Sequence, residues 1–449
     1  MTALDKYVSE KYDGKQDWFV EEVNQLNNQQ RILDVQQKKE YLNGNHKILQ
    51  KQSYKYNGKE FEPKKIVLQY AKTLLNFQKS YLLQNPITLT GDESVVKRYQ
   101  KVNRKGKYDR FNQKILDKVL KYGRVAEYVY LDRGVIKSKL IHTDEFVPVY
   151  NEHNELIAVI EGFVHDGISH YIVYDDEVVR RYNDKGGEIR LIEQNANLSG
   201  LPIIYHNENE LNEVDGRSEL DDWISILDNL ESLLSKYAEA TEKFLDPIFL
   251  NIGQQLKGES LPADLVGKGI NLDDGSDAKY LQAKLDSKSF ESLHKVLLQS
   301  LLDISQTPAV SMNKTDISNL SEVSIKLLFQ LANIKASMNE QFMREGIEER
   351  HDKVKSLLAL QGVKVNDDKY DTLDMVFQYA MPQNDSEIIE QLEKLRDMGA
   401  ISLESLLGRS PMTNDVQEEM KRLHNEVVDN SVDNSNNDGD VNDNNYQIY

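Results

Sequence analysis

The sequence predicts an α+β fold, because segments with helical periodicity stand on both sides of a segment whose residues alternate between apolar and polar. Up to about residue 121, apolar residues recur every three or four positions. Between residues 124 and 195 the period changes to two, which is typical of short antiparallel strands. Helical periodicity returns at Ser218. Helices before and after a continuous run of strands are the pattern of the α+β class.

Two helices are predicted in the first segment. One spans residues 62–83 and ends before Asn85-Pro86, because proline lacks a backbone donor and restricts the residue before it. The other spans residues 107–122 and stops at Gly123. Their apolar stripes consist of Ile66, Tyr70, Leu74, Phe77 and Tyr81 in the first helix and of Phe111, Ile115, Val119 and Leu120 in the second.

The strands of residues 124–195 are predicted to form one meandering antiparallel sheet. Asp132-Arg133-Gly134 is a hairpin signal, since glycine favours the left-handed backbone that tight turns need. Further Asn, Asp and Gly turns separate the following strands.

A long helix is predicted to begin near Ser218 and to run to about Phe244, where Pro247 breaks the pattern. Ser218 and Asp221 have the spacing of a capping box. The helix would be a rod of roughly 40 Å. Its apolar stripe is Trp223, Leu227, Leu230, Leu234 and Tyr237, and its opposite face is acidic, with Asp221, Asp222, Asp228, Glu231, Glu239 and Glu242.

A second long helix returns after an excursion of short strands and turns. Its stripe is Phe290, Leu293, Leu297, Leu301 and Ile304. The two helices are therefore expected to be antiparallel and to hold a small subdomain at their far end.

A polar loop then leads into a third long helix. Asn319 as N-cap and Glu322 predict its start, and it continues to Leu360 with only Gly346 interrupting, which is more than about 40 residues and implies a bend or a strut. A short strand in residues 372–380 and two further helices follow. The last residues are too polar to bury enough surface, so we predict a disordered acidic tail.

Composition excludes several classes of protein. The chain of 449 residues has no cysteine, so disulfides, thiolate metal sites and thiol nucleophiles are excluded. Its first residues lack the order of a signal peptide, and no apolar run approaches the roughly 18 residues of a membrane span. We therefore expect a soluble, cytosolic chain of two to four domains.

Charge is distributed unevenly along the chain. Residues 31–125 contain 22 lysines and arginines against 8 aspartates and glutamates, a balance of +14 in a chain whose net charge is −19. Such polarity suits subunits that meet basic face to acidic face, or an acidic part that must not adhere to a polyanion. Solvated faces of amphipathic helices are the alternative explanation, which charge alone leaves open.

No catalytic motif is present. The sequence contains no Walker loop, dinucleotide-binding glycine motif or zinc-ligand spacing. Asp221-Asp222 and Asp273-Asp274 are explained by a helix start and by a turn. A metal-dependent nucleic-acid-processing enzyme is kept as the alternative, on the strength of one loose group of potential ligands: His142, Asp144, Glu145, His153, His165 and His170.

The order of these parts, from about Gln30 to Glu426, resembles the portal (head-to-tail connector) proteins of tailed bacteriophages, in the long-tailed siphophage branch. The resemblance is carried by NPITLTG, KYGRVAEYVYLD with HTDEFVPVYNE, LDPIFLNIG, NLSEVSIKLLF and MGAISLESLLGRSPMTNDVQEEMKRLHNE, in that order.

The resemblance implies a mainly helical ring subunit with an antiparallel sheet in its wing. The implied regions are a wing at 1–215, stem helix 1 at 216–244, a clip at 245–286, stem helix 2 at 287–306, a tunnel loop at 307–318, a long helix returning to the wing at 319–382, a crown at 383–426 and the acidic tail at 427–449.

The resemblance also implies a function that is structural and not enzymatic, with no cofactor. Portal subunits form a ring, usually a dodecamer, at one capsid vertex of the virion, and double-stranded DNA passes through it during packaging and ejection. Implied partners are the terminase large subunit, a head-completion or adaptor protein, and the major capsid and scaffolding proteins, with assembly in the host cytoplasm and no membrane.

Three sets of residues follow from this resemblance. An acidic stem lining would repel phosphate and let DNA slide, whereas a strongly basic wall would trap it. The sets are the tunnel loop with Asn313, Lys314, Thr315 and Asp316, the acidic stem with Asp228, Glu231, Glu239 and Glu242, and the partner-docking clip with Gln254, Lys257, Glu259, Asp264 and Lys268.

Overall fold

The computed structural model divides the chain into two compact units. The first comprises Met1–Ala309 and Leu331–Ala380, and the second comprises Val310–Gln330 and Met381–Tyr449. The structure describes residues 2–56, 59–212, 214–245, 248–252, 277–281, 286–309, 321–382, 385–413, 416 and 419–425. The predicted tail lies outside these residues.

The first unit begins with helices, as the periodicity predicts. A short 3₁₀ helix, Lys47–Gln50, and a small hairpin interrupt them. The elements are α1 (Ala3–Tyr12), α2 (Trp18–Val23), α3 (Leu26–Leu42), β1 (Tyr54–Tyr56), β2 (Lys59–Phe61), α4 (Tyr70–Leu83), β3 (Thr88–Thr90), α5 (Glu93–Gly106) and α6 (Tyr108–Tyr122).

Helix α4 starts later than the sequence predicts. Residues 62–69 were expected to be helical, but their backbone amides are used elsewhere: Ile66 N donates to Ser235 Oγ at 3.0 Å and Leu68 N donates to Glu231 Oε1 at 2.8 Å. The end of α6 was predicted correctly. Gly123 has φ +84°, and a Cβ there would lie 2.5 Å from Gly216 O, so both conformation and space require glycine.

The strands form two antiparallel sheets and not the single meander that was predicted. The orders are β11-β4-β5 and β10-β9-β8-β7-β6. The hairpin at Arg133-Gly134 is confirmed, with φ values of 49° and 78°. The strands are β4 (Arg124–Asp132), β5 (Val135–Ile141), β6 (Phe146–Tyr150), β7 (Leu156–His165), β8 (Ile168–Tyr174), β9 (Val178–Asn183), β10 (Arg190–Ala196) and β11 (Ile203–His206).

Apolar side chains join the two sheets and attach the N-terminal helices to the larger one. Ala126 and Ile141 of the small sheet cluster with Val159 and Ile172 of the large sheet. On the large sheet, Trp18 and Phe19 of α2 belong to a second buried cluster with the strand residues Val147, Ile160 and Val173.

The two long helices and the excursion between them are confirmed. They are α7 (Leu220–Leu245), β12 (Ile248–Ile252), β13 (Asp277–Leu281) and α8 (Ser287–Ile304), and β12 pairs with β13 antiparallel. The rings of Tyr237 and Phe290 stack with centroids 3.8 Å apart. Asp222 near the start of α7 and Ile304 at the end of α8 line the same cleft, so the helices are antiparallel.

The capping box predicted at Ser218 does not form. Ser218 Oγ donates to Lys121 O at 2.6 Å and accepts from Leu220 N at 3.1 Å, while the Asp221 carboxylate pairs with Lys38 at 2.8 Å. The start of α7 is therefore fixed to the end of α6.

The third long helix is divided in two. Helix α9 (Glu322–Leu328) ends at Phe329, and α10 (Gln330–Leu360) has 31 residues. The N-cap is Ser321 and not Asn319, because the Ser321 hydroxyl accepts a hydrogen bond from Ser324 N. Asn319 itself lies outside the described residues.

The remaining elements follow the predicted order. Residues 416 and 419–425 are also helical. The elements are α11 (Asp367–Tyr370) and β14 (Asp374–Val376) in the first unit, and α12 (Asp385–Asp397) and α13 (Leu403–Arg409) in the second.

A buried ion pair joins α10 to the small sheet. Arg350 is 2% exposed and Glu127 of β4 is 0% exposed, and Arg350 Nη2 lies 2.8 Å from Glu127 Oε2. Arg350 Nη1 also donates to Asn112 of α6 at 2.7 Å, and Tyr205 of β11 lies 2.7 Å from the Glu127 carboxylate. Burial disfavours the Arg350 charge, but the adjacent Glu127 carboxylate raises the Arg350 pKa above its usual value. Sequence reasoning did not find this network.

We expect Glu127→Ala to destabilise the first unit strongly, by about 3–5 kcal/mol, because Arg350 would be left buried without its counter-charge. The matched control is Glu193→Ala, which removes an exposed pair with Arg181 and should leave stability unchanged. Urea unfolding followed by circular dichroism measures both. Equal stability of the two variants would contradict the role of the buried pair.

We expect Gly346→Ala to be destabilising by about 1–3 kcal/mol or more, because the new Cβ would lie 2.2 Å from Cε1 of the buried Tyr205 ring. Gly162→Ala is the control, since its Cβ would meet Tyr171 at an ordinary 3.6 Å. Thermal unfolding compares the two alanine variants. If Gly346→Ala is no less stable than Gly162→Ala, the ring of Tyr205 has room to move.

Candidate functional site

Of the three residue sets that the resemblance implies, only the acidic stem falls on described residues, and all of its members lie on α7. The residues named for the tunnel loop and the clip lie outside those ranges, so their roles remain predictions. The residues outside the described ranges are Asn313, Lys314, Thr315 and Asp316 of the loop and Gln254, Lys257, Glu259, Asp264 and Lys268 of the clip.

Glu231 does not belong to an exposed acidic face. It is 0% exposed, and its Oε1 lies 2.6 Å from His46 Nδ1 and accepts a hydrogen bond from Leu68 N at 2.8 Å. A carboxylate without exposed surface cannot line a channel, so this part of the prediction is corrected. Glu231 instead attaches α7 to the segments around His46 and Leu68.

The surroundings of Glu231 form a buried polar cluster. The His46 ring stacks on Tyr41 with centroids 3.9 Å apart. Burial, with the nearby carboxylate of Glu231, raises the pKa of Tyr41. Within the described part of the chain, His46 Nε2 and Glu231 Oε2 are buried without a hydrogen-bond partner. This cluster is a structural support of α7.

Asp228, Glu239 and Glu242 retain access to solvent. Asp228 is half-buried, and burial raises its pKa while Lys47 and His46 oppose this. It lines a cleft of about 510 Å³ with Lys47 and Ser232. Glu239 Oε1 accepts a hydrogen bond from Tyr54 at 2.6 Å, and Glu242 pairs with Lys64 at 2.6 Å.

Cations outside α7 approach its acidic face. Besides the Lys64–Glu242 pair, Lys38 pairs with Asp221 and Arg217 lies 2.5 Å from Asp222. The face is therefore less negative than its sequence suggests. Sequence reasoning missed the two lysine pairs, because Lys38 and Lys64 lie far from α7 along the chain.

The loose group of potential metal ligands is not brought together. The side chains of His153 and His165 are 72% and 73% exposed, and Asp144 pairs with Lys39. Across the residues that the structure describes, no three His, Asp or Glu side chains are arranged to hold a metal ion. Over the same residues, no helix combines the length and apolar character needed to cross a bilayer.

Comparisons with known proteins agree with this architecture. The family model described as "Phage portal protein, SPP1 Gp6-like" matches residues 25–431. The portal protein of Bacillus phage SPP1 is 21% identical over 395 residues, which is 79% of this chain and 75% of that protein.

Solved structures of gene transfer agent particles are also similar, at 10% identity. The neck of the empty particle computed with C6 symmetry has a TM-score of 0.48 over 74% of this chain and 86% of the matched chain. The neck of the native particle computed with C12 symmetry has a TM-score of 0.45 over 75% and 89%.

The family model covers nearly the whole chain, including both long helices, the two sheets and the helices of the second unit. The chain therefore belongs to the SPP1 Gp6-like family of phage portal proteins.

Proposed function

We propose that copies of this chain assemble into a ring, a dodecamer, at one capsid vertex of a virion, and that double-stranded DNA passes through the ring during packaging and ejection. The observation that carries this proposal is the family match across residues 25–431. The role is structural, and ATP hydrolysis would belong to the terminase. Assembly would take place in the host cytoplasm, with capsid and scaffolding proteins around the ring.

The regions of the ring subunit are assigned to the observed elements. Helices α7 and α8 are the proposed stem, and the strands β12 and β13 are part of the proposed clip, which docks the terminase large subunit and later the head-completion protein. The proposed tunnel loop is 307–318, with Asn313, Lys314, Thr315 and Asp316 at the constriction, and the proposed crown is 383–426.

Exposed apolar residues on α8 support self-assembly. Leu293, Val296 and Ile304 are 49%, 58% and 48% exposed, and their spacing places them along one side of the helix. Aligned apolar side chains on a subunit surface are typical of a protein–protein contact. We assign them to the contact between neighbouring copies in the ring.

The charge of α7 supports passage of DNA with little retention. The solvent-accessible carboxylates of Glu239 and Glu242 would repel phosphate, while Lys64, Lys51 and Lys236 offset part of their negative charge. DNA affinity rises with each phosphate that a cation neutralises, so a wall of this kind holds DNA weakly. Asp228, Glu239 and Glu242 are the proposed lining, without Glu231.

We expect Leu293→Lys with Val296→Lys to prevent ring assembly, because two charges would be buried at the contact between copies. Light scattering should give several hundred kDa for the unchanged protein and 51.8 kDa for the variant. Leu26→Lys, at a 70% exposed leucine of α3, is the control that should assemble. An unchanged protein that stays at subunit mass in every buffer would contradict the ring.

We expect Glu239→Lys with Glu242→Lys to make the assembled protein retain duplex DNA more strongly. The plot of log binding constant against log salt concentration should also become steeper, by about 0.9 for each phosphate contacted. Glu188→Lys removes an exposed carboxylate that pairs with Arg190 and should have no effect. Binding of labelled DNA across a salt series measures this. Identical slopes for both variants would place α7 away from the DNA.

A further inference from the structure

A cleft of about 740 Å³ in the first unit is bordered by cations. One wall is α5, and the other is formed by the β4–β5 turn and the residues that follow α10. Gln361 Nε2 donates to Gly134 O at 3.0 Å, which ties the turn to the end of α10 and closes that wall. The cationic lining consists of Lys97, Arg98, Lys101, Lys105 and Lys364.

The positive charge of this cleft is largely uncompensated. Lys97 pairs with Glu93 at 2.5 Å, and both side chains are exposed. Across the described residues, Arg98, Lys101, Lys105 and Lys364 form no ion pair within 4.0 Å. Lys97, Lys101 and Lys105 follow one another at intervals of one helical turn, so their ammonium groups border the cleft over about 12 Å.

The floor of the cleft is apolar. Val102 of α5, Val135 and Ile136 of β5, and Leu358 and Val363 beside the end of α10 line it. The lining contains no aromatic side chain, so the cleft lacks the stacking platform that single-stranded nucleic acid uses. A DNA duplex presents charged phosphates on its outer surface and has no apolar group to place on such a floor.

We infer that this cleft binds an acidic peptide segment of another protein, with carboxylates on the lysines of α5 and one apolar side chain between Val102 and Leu358. Acidic-segment recognition by clustered cations is an established mode of peptide binding. Fixed carboxylate–ammonium pairs orient the segment, and the apolar side chain adds the affinity that charge on a solvent-exposed surface does not supply. The inference concerns a protein partner and does not depend on passage of DNA.

Binding of a labelled peptide to the full chain tests the inference. The probe is a short peptide of glutamates around one leucine, compared with a glutamine version and with a version in which serine replaces the leucine. We expect only the first to bind well. Lys101→Glu with Lys105→Glu should weaken its binding by about tenfold or more, because two charge-assisted contacts become repulsive.

The control has the same change of charge away from the cleft: Lys72→Glu with Lys114→Glu, two exposed lysines of α4 and α6. It should bind the peptide like the unchanged protein. All four lysines are exposed, so both variants are expected to fold, and circular dichroism checks this.

Four results would overturn the inference. One is equal binding of the serine peptide, which would reduce the cleft to a general anion surface. Another is displacement of the labelled peptide by duplex DNA at a phosphate concentration below the carboxylate concentration at which unlabelled peptide displaces it. That result would make the cleft a nucleic-acid contact. The third is loss of the assembled mass in Lys101→Glu with Lys105→Glu, which would place the cleft between copies of the chain. The fourth is absence of binding of any peptide.

Discussion

The buried pair of Arg350 and Glu127 is the constraint on which the arrangement of the first unit depends. An unpaired charge in the interior costs several kcal/mol, and the guanidinium has a fixed planar fork of donors. Helix α10 and strand β4 are therefore held where the fork meets the carboxylate. Tyr205 and Asn112 complete the network from β11 and α6, so four elements share one polar centre.

Local patterns predicted the elements well, and tertiary contacts account for the errors. The C-terminal end of α6 at Gly123 and the turn at Arg133-Gly134 follow from glycines, which readily adopt the left-handed backbone found there. The late start of α4 does not, because the amides of Ile66 and Leu68 bond to side chains of α7. The position of Glu231 depends in the same way on His46. Partners this distant leave no periodic signal.

Tertiary contacts likewise determine whether the net charge of a surface is positive or negative. The acidic face of α7 was evident from helical spacing, yet Lys38 and Lys64, which belong to the basic segment, pair with part of it. Within the described residues, four cations of residues 31–125 pair with carboxylates outside that segment: Lys38, Lys39, Lys64 and Arg124. Around α5, Lys101 and Lys105 form no ion pair within 4.0 Å in the described residues, and no carboxylate lines the cleft beside them, so that cleft keeps a positive charge.

The two backbone amides that bond to α7 have a mechanical consequence. Ser235 and Glu231 lie one turn apart, and they accept from alternate residues of one extended segment. Rotating the helix about its axis, or sliding it by a turn, would break both bonds together and leave the buried carboxylate of Glu231 without a donor from this segment. The two bonds therefore fix the rotation of α7 about its own axis. A force along the helix would be transferred to the rest of the first unit and would not turn the helix in place.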